Sequence, residues 1–139
     1  MTTYYVDPAL GDDGNLGTST GAGNAWATLP GTRNAGNTAY LNTNQIAAGD
    51  VIEIKAGSAF DSTNSGKVYI DSTHYENGTS GLPIIIKVST TDGTGDVTFN
   101  GTGITIPQYD GYIMVYRRDH IHILGNATDQ IVISNFTAN

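Results

Sequence analysis

Three groups of side chains in this 139-residue chain are of types that do chemistry. His120 and His122 stand two apart, directly after Arg117, Arg118 and Asp119. On a strand that spacing puts both imidazoles on one face, away from the core, where they would bind an anionic sugar or move protons near neutral pH. A plain solvated face is the competing reading, because neither a Ser or Cys nucleophile motif nor an HExxH spacing accompanies the pair. Asp12, Asp13 and Asn15 form an acidic loop whose carboxylate and carbonyl oxygens suit a hard cation such as calcium, and no other cofactor is expected. The loop lacks the Asp-x-Asp-x-Asp-Gly pattern with a distal Glu, so it also reads as an ordinary turn. Tyrosine is the third group, with eight against three phenylalanines. A phenol ring offers an apolar face for stacking on a sugar and a hydroxyl for hydrogen bonding. Tyr112, Met114 and Tyr116 alternate with Ile113 and Val115, which predicts an outward face carrying both tyrosines, and Tyr69 is expected to face outward on its own strand. Packing under a loop competes with sugar binding for these rings.

Glycoside hydrolysis needs two carboxyl groups about 5 to 9.5 Å apart across the scissile bond. Glu53, Asp71, Asp110 and Asp119 occur singly, and no two are spaced to share an outward column on adjacent strands. A catalytic site within the chain is therefore not expected, while one shared with a neighbouring chain stays open.

The elements that must position these groups are short. Charged residues make up only 14% of the chain and glutamate occurs only at Glu53 and Glu76, which excludes the composition of helical bundles and coiled coils. Low charge also argues against disorder. The net charge of -7 would repel a phosphate backbone, so nucleic acid is not an expected partner. Cysteine is absent, which removes disulfides and thiolate metal sites. Apolar runs are too short to cross a membrane, and Met1 to Val6 has neither the basic nor the apolar region of a signal peptide. The expected location is extracellular or virion-associated, reached by lysis, within a particle, by another export route or after loss of a leader.

Period-two patterning predicts strands over 50–55, 67–71, 83–88, 96–100, 111–116, 120–124 and 130–136, each bounded by Gly, Asp, Asn, Ser or Thr clusters. Residues 25–35 hold the one helical candidate, which Pro30-Gly31 interrupts and reduces to a capping turn. Two strand sets recur with matching offsets: Ile52, Ile84 and Ile121 in one, Val68, Val97 and Ile131 in the other. The residues two further on repeat the pattern. Outward columns read Glu53, Ile85, His122 and Lys55, Lys87, Leu124. Strands stacked in parallel at about 4.8 Å would produce such columns. A single all-β domain is expected: an N-terminal strand, acidic loop and cap segment over 1–47, then about three rungs of a parallel β-helix over 48–139. A β-sandwich accounts for short strands but not for two sets advancing together.

Several segments, in order along nearly the whole chain, carry a family resemblance. Tyr4-Tyr5-Val6-Asp7-Pro8, the loop from Gly11 to Ser19 and Ala25-Trp26-Ala27-Thr28-Leu29 resemble the N-terminal segment of pectate-lyase-like β-helix proteins. Ala48 to Gly57, Gly81 to Lys87 and Asp119 to Gly125 with Ile131 to Phe136 are similar to successive rungs. The resemblance implies a right-handed coil with Trp26 packed over its N-terminal end. It implies no single activity, because that superfamily includes polysaccharide lyases, glycoside hydrolases, phage tailspikes and non-catalytic surface fibres. The family's catalytic carboxylates, calcium ligands and proton acceptor lie on rungs in the middle of a longer coil, which this chain does not contain. The expected role is thus a structural or glycan-binding module of a larger surface or virion assembly, a tailspike-like or fibre-like oligomer without catalysis of its own. The alternative is the N-terminal portion of a polysaccharide lyase or hydrolase. Its expected partners are a polysaccharide or surface glycan and copies of itself, joined through the open end of the coil or as a trimer.

Overall fold

The computed structural model describes residues 1–104 and 112–135. Among them there is no helix. The strands are β1 (Thr3–Val6), β2 (Val51–Ala56), β3 (Ala59–Phe60), β4 (Val68–Ile70), β5 (Ile84–Gly93), β6 (Val97–Asn100), β7 (Ile113–Val115), β8 (Ile121–Leu124) and β9 (Ile131–Ser134). They form three sheets, ordered β1-β2-β5-β8, β3-β6-β9 and β4-β7, and every pairing between them is parallel. From β2 onward the chain visits the sheets in a fixed cycle: β2, β3, β4, then β5, β6, β7, then β8 and β9. Each of the seven strands expected from periodicity has a counterpart among the described residues; Gly111 and Phe136, at the ends of two of the expected spans, lie outside the described residues. The 25–35 segment is not helical; it is held by isolated bridges, Val6 to Trp26 in parallel and Thr32 to Val68 antiparallel.

Alternation along each strand sorts side chains into core and surface. Ile52, Ile54, Ile84, Ile86, Val88, Val97, Phe99, Val68 and Ile70 are all buried. They meet as columns: Tyr4, Ile52, Ile86 and Ile123 in the first sheet; Phe60, Phe99 and Ile133 in the second; Ile70 and Val115 in the third. Phe60 and Phe99 stack with ring centroids 4.6 Å apart.

Two expected registers are corrected. Ile52 stands opposite Ile86, not Ile84, while Ile84 does pair with Ile121. A slip of two residues keeps every side chain on its own face, so periodicity cannot tell the two apart. The outward columns shift accordingly to Val51, Ile85, His122 and Glu53, Lys87, Leu124. Val68 does not pair with Val97 but with Ile113, because the two-residue β3 supplies the strand that lies beside β6. Val97 pairs with Ile131 as expected.

One end of the core is closed by the N-terminal segment. Trp26 stacks on Tyr4 at 4.6 Å, exchanges backbone hydrogen bonds with Tyr5 and Asp7, and donates its indole N–H to the Asn15 carbonyl at 2.9 Å. Gly17 packs flat against this indole with φ 73°, and a β-carbon there would overlap the ring. At the other end the columns stay open. Val115, Ile123 and Ile133 continue buried columns yet are 47%, 37% and 42% exposed. The outer edges of β7, β8 and β9 have no partner strand among the described residues.

Candidate functional site

The outward face of the β4-β7 sheet carries a groove of about 320 Å³ lined by Arg33, Tyr40, Tyr69, Asp71, Met114 and Tyr116. Parallel pairing sets it up. Val68 and Ile70 point into the core, so Tyr69 between them points out, directly opposite Met114 of β7. Asp71 follows β4, and Tyr116 follows β7, donating its backbone N–H to the Ile70 carbonyl at 2.9 Å.

The remaining wall comes from a hairpin-like loop in the N-terminal segment. Arg33 and Tyr40 bridge antiparallel to each other around a turn in which Asn37 takes a left-handed φ of 57° and donates its N–H to the Asn34 carbonyl at 2.9 Å. Asn34 reinforces the turn by accepting from the Thr38 N–H at 2.9 Å. The loop is fastened to β4 by the Arg33 N–H to the Lys67 carbonyl, 2.8 Å, and the Tyr69 N–H to the Gly31 carbonyl, 3.0 Å.

Within the groove the Arg33 guanidinium lies 4.3 Å from the Tyr40 ring centroid and 4.9 Å from that of Tyr69. It donates to the Tyr40 hydroxyl at 3.1 Å and to the Asn37 carbonyl at 3.0 Å, and the phenol contact holds the cation still more firmly protonated than usual. Arg117 sits over Tyr116 at 5.1 Å. Asp71 accepts from the Thr73 N–H at 2.9 Å and lies 3.3 Å from Nδ1 of the buried His74, whose ring packs on Tyr40. Rings held by cations, a carboxylate and phenol hydroxyls can stack on an apolar C–H face and hydrogen-bond its polar edge. Asp71 is the one carboxylate among the lining residues, and a pair is what hydrolysis across a glycosidic bond requires.

The structure brings together two of the expected sugar-binding residues, Tyr69 and Tyr116, and separates the rest. Tyr116 is 52% exposed. The outward placement of Tyr112 is corrected: it is 1% exposed, with its ring edge-on to Phe99 at 5.5 Å. Tyr112 precedes β7, so strand alternation does not extend to it. His122 is exposed on β8 in a different sheet, opposite Ile85. His120 is also exposed but has a φ of 53° just before β8, which breaks the alternation on which a shared face with His122 rested.

Asp12, Asp13 and Asn15 each make hydrogen bonds within the N-terminal segment. Asp12 accepts from the Gly14 N–H at 2.8 Å. Asp13 accepts from the backbone N–H and hydroxyl of Thr28, both 2.8 Å, and from Asn42 at 3.2 Å, and burial pushes its carboxyl above the ordinary range. Asn15 donates to the Ala25 carbonyl at 2.9 Å. Among the described residues no three His, Asp or Glu side chains converge.

Arg33 and Tyr40 were not expected at the site. The signal was present in Arg33-Asn34-Ala35-Gly36-Asn37, turn residues flanked by partners able to pair. No protein-family model matches the chain, and neither a curated protein nor a solved structure matches it.

Proposed function

We propose that the chain is a right-handed parallel β-helix module, of the pectate-lyase-like kind its sequence resembles, that binds glycan within a larger surface or virion assembly and has no catalysis of its own. The coil is supported by the cyclic passage through three parallel sheets with core columns in register. The observation that carries the glycan-binding reading is the groove on the β4-β7 sheet, where Tyr69 and the exposed Tyr116 flank Met114 beside Arg33 and Asp71. A pyranose ring laid on these phenols would meet a carboxylate at its edge. The assembly part of the reading is supported by the outer edges of β7, β8 and β9, which have no partner strand among the described residues, since proteins leave such edges covered or disrupted. The same open columns favour a second reading, in which this segment is the N-terminal portion of a polysaccharide lyase or glycoside hydrolase.

The test is affinity electrophoresis of the full chain against a panel of neutral and acidic polysaccharides, repeated for Tyr69→Ala and Tyr116→Ala. Binding of at least one polysaccharide, weakened about two- to tenfold by either variant, is the expected result; an aromatic contact of about 0.5 to 1.5 kcal/mol predicts that range. Absence of binding to the whole panel, or binding that ignores both substitutions, sinks the reading.

A further inference from the structure

The polar groups of the Tyr69 groove are not equally available to a ligand. Arg33 is committed inward. Both terminal nitrogens of its guanidinium donate into the loop, to the Asn37 carbonyl and the Tyr40 hydroxyl, and its Nε is buried. Lys67, whose ammonium lies 4.9 Å from the Tyr69 ring centroid, is wholly buried. Arg117 hangs over Tyr116 and is not among the lining residues.

Asp71 differs. Its Oδ1 accepts from the Thr73 N–H at 2.9 Å and lies 3.3 Å from His74 Nδ1, while its Oδ2 has no hydrogen-bond partner among the described residues. The side chain lines the groove and is 18% exposed, so this oxygen is not sealed off. A tight turn fixes its presentation. The Asp71 carbonyl accepts from the N–H groups of His74, 3.2 Å, and Tyr75, 2.9 Å, and Tyr75 ties the turn to the N-terminal segment by donating its hydroxyl to the Pro30 carbonyl at 3.0 Å. Oδ1 is thereby held on the turn and Oδ2 is left for a ligand.

An ionised acceptor at the edge of an aromatic groove takes O–H donors and rejects anions. A sugar hydroxyl donating to Oδ2 makes a charge-assisted hydrogen bond, stronger than one between neutral groups. A uronate carboxylate brought to the same edge meets a like charge with no proton between them. Arg33 and Asp71 are the charged lining residues and act on each other, which leaves the groove without net positive charge to offset that repulsion. The net charge of -7 on the whole chain opposes a polyanion further.

We infer that the groove takes neutral glycans and discriminates against uronate-bearing ones, with a sugar hydroxyl donating to Oδ2 of Asp71 while a C–H face lies on Tyr69. This inference rests on the groove being the glycan site. The experiment is isothermal titration calorimetry of the full chain near neutral pH and at fixed ionic strength, for the wild type, Asp71→Asn and Tyr69→Ala. The probes are dextran and galactomannan, and alginate and hyaluronate each beside its carboxyl-reduced form. Asp71→Asn keeps an acceptor for Thr73 and puts an N–H donor where Oδ2 stands. The wild type is expected to bind a carboxyl-reduced form about tenfold or more tighter than its parent. Asp71→Asn is expected to weaken binding of neutral glycans about tenfold and to narrow that gap, with a melting temperature within a few degrees of the wild type's. Parent polysaccharides that bind the wild type as tightly as their reduced forms overturn the inference, and this comparison decides even where the variant fails to fold. Neutral binding that is unchanged in a folded Asp71→Asn overturns it too. If either result comes with binding that Tyr69→Ala weakens, the groove survives as the glycan site; absence of all binding, or binding indifferent to Tyr69→Ala, removes both.

Discussion

Glu53 and Lys87 stand directly opposite each other on the outer face of the β2-β5 pairing, carboxylate and ammonium 2.9 Å apart. Ser89 donates its hydroxyl to the second oxygen of the same carboxylate at 3.0 Å, at the point where β5 bulges away from β2. The pair therefore marks the register: had Ile52 paired with Ile84, Glu53 would face Ile85. A double-mutant cycle with Glu53→Gln and Lys87→Met, followed by urea unfolding, is expected to give a coupling of about 0.5 to 1 kcal/mol, the size for a partly exposed cross-strand pair. A coupling of zero would remove this pair as an energetic marker of the register.

The stacked Phe60 and Phe99 make the second sheet sensitive to truncation. Phe99 is buried and touches both Phe60 and Tyr112. Phe99→Ala is expected to cost about 3 to 5 kcal/mol, the sum of lost transfer energy and a cavity that a stack of rings cannot close. Ile133→Ala, in the same column but half in solvent, is expected to cost under about 1.5 kcal/mol. Equal costs in equilibrium unfolding would mean that the open end is covered in solution.

These contrasts show how far the residues themselves announce the fold. Ile52, Ile86, Val97 and Phe99 sit in strands whose alternation is legible, because each has one buried and one wet face. Register is less legible, since Ile84 and Ile86 are the same residue on the same face. The separation of the second sheet from the third was hidden because β3 is only Ala59–Phe60, too short to show a period, so periodicity matches β4 to β6. Tyr112 and His120 escaped for a shared reason: each lies just outside a strand, where the backbone leaves the pleat and His120 turns to positive φ. Half of the groove was legible, namely Tyr69, Met114 and Tyr116 on or beside strands. Arg33 and Tyr40 were not, because their placement depends on a loop docking to β4 through backbone hydrogen bonds that carry no side-chain pattern.

Asp13 gives a pH dependence of definite sign. Burial holds its carboxyl above the ordinary 3.8, against the lowering effect of its hydrogen bonds from Thr28. The folded chain thus binds more protons than the unfolded chain in the window between 3.8 and the raised value. Stability contributed at this position is therefore greatest below 3.8 and declines as the pH rises through that window. Asp61 acts in the opposite sense, because the Thr63 hydroxyl and N–H hold its carboxyl low. Comparing wild type with Asp13→Asn by urea unfolding between acid and neutral pH cancels Asp61 and isolates Asp13. The wild type's stability relative to the variant is expected to fall on going from acid to neutral pH; a rise would mean that the hydrogen bonds outweigh burial.

The open columns make assembly measurable. Trp26 and Tyr4 cover the core beside β1, whereas Ile123 and Ile133 expose theirs beside the outer edges of β8 and β9, which have no partner strand among the described residues. Contact between copies through these edges would bury both side chains and satisfy the outward backbone groups at once. A lysine at either position would bring an unpaired charge into that contact while remaining hydrated in the isolated chain, so it acts on association far more than on folding. Light scattering across a concentration series is expected to show association of the wild type that is weakened by Ile123→Lys or Ile133→Lys, with melting temperatures lowered by no more than a few degrees. Association that survives both substitutions would place the contact on another face, and a wild type that stays monomeric at every concentration would remove self-assembly from the proposed role while leaving the Tyr69 groove untouched.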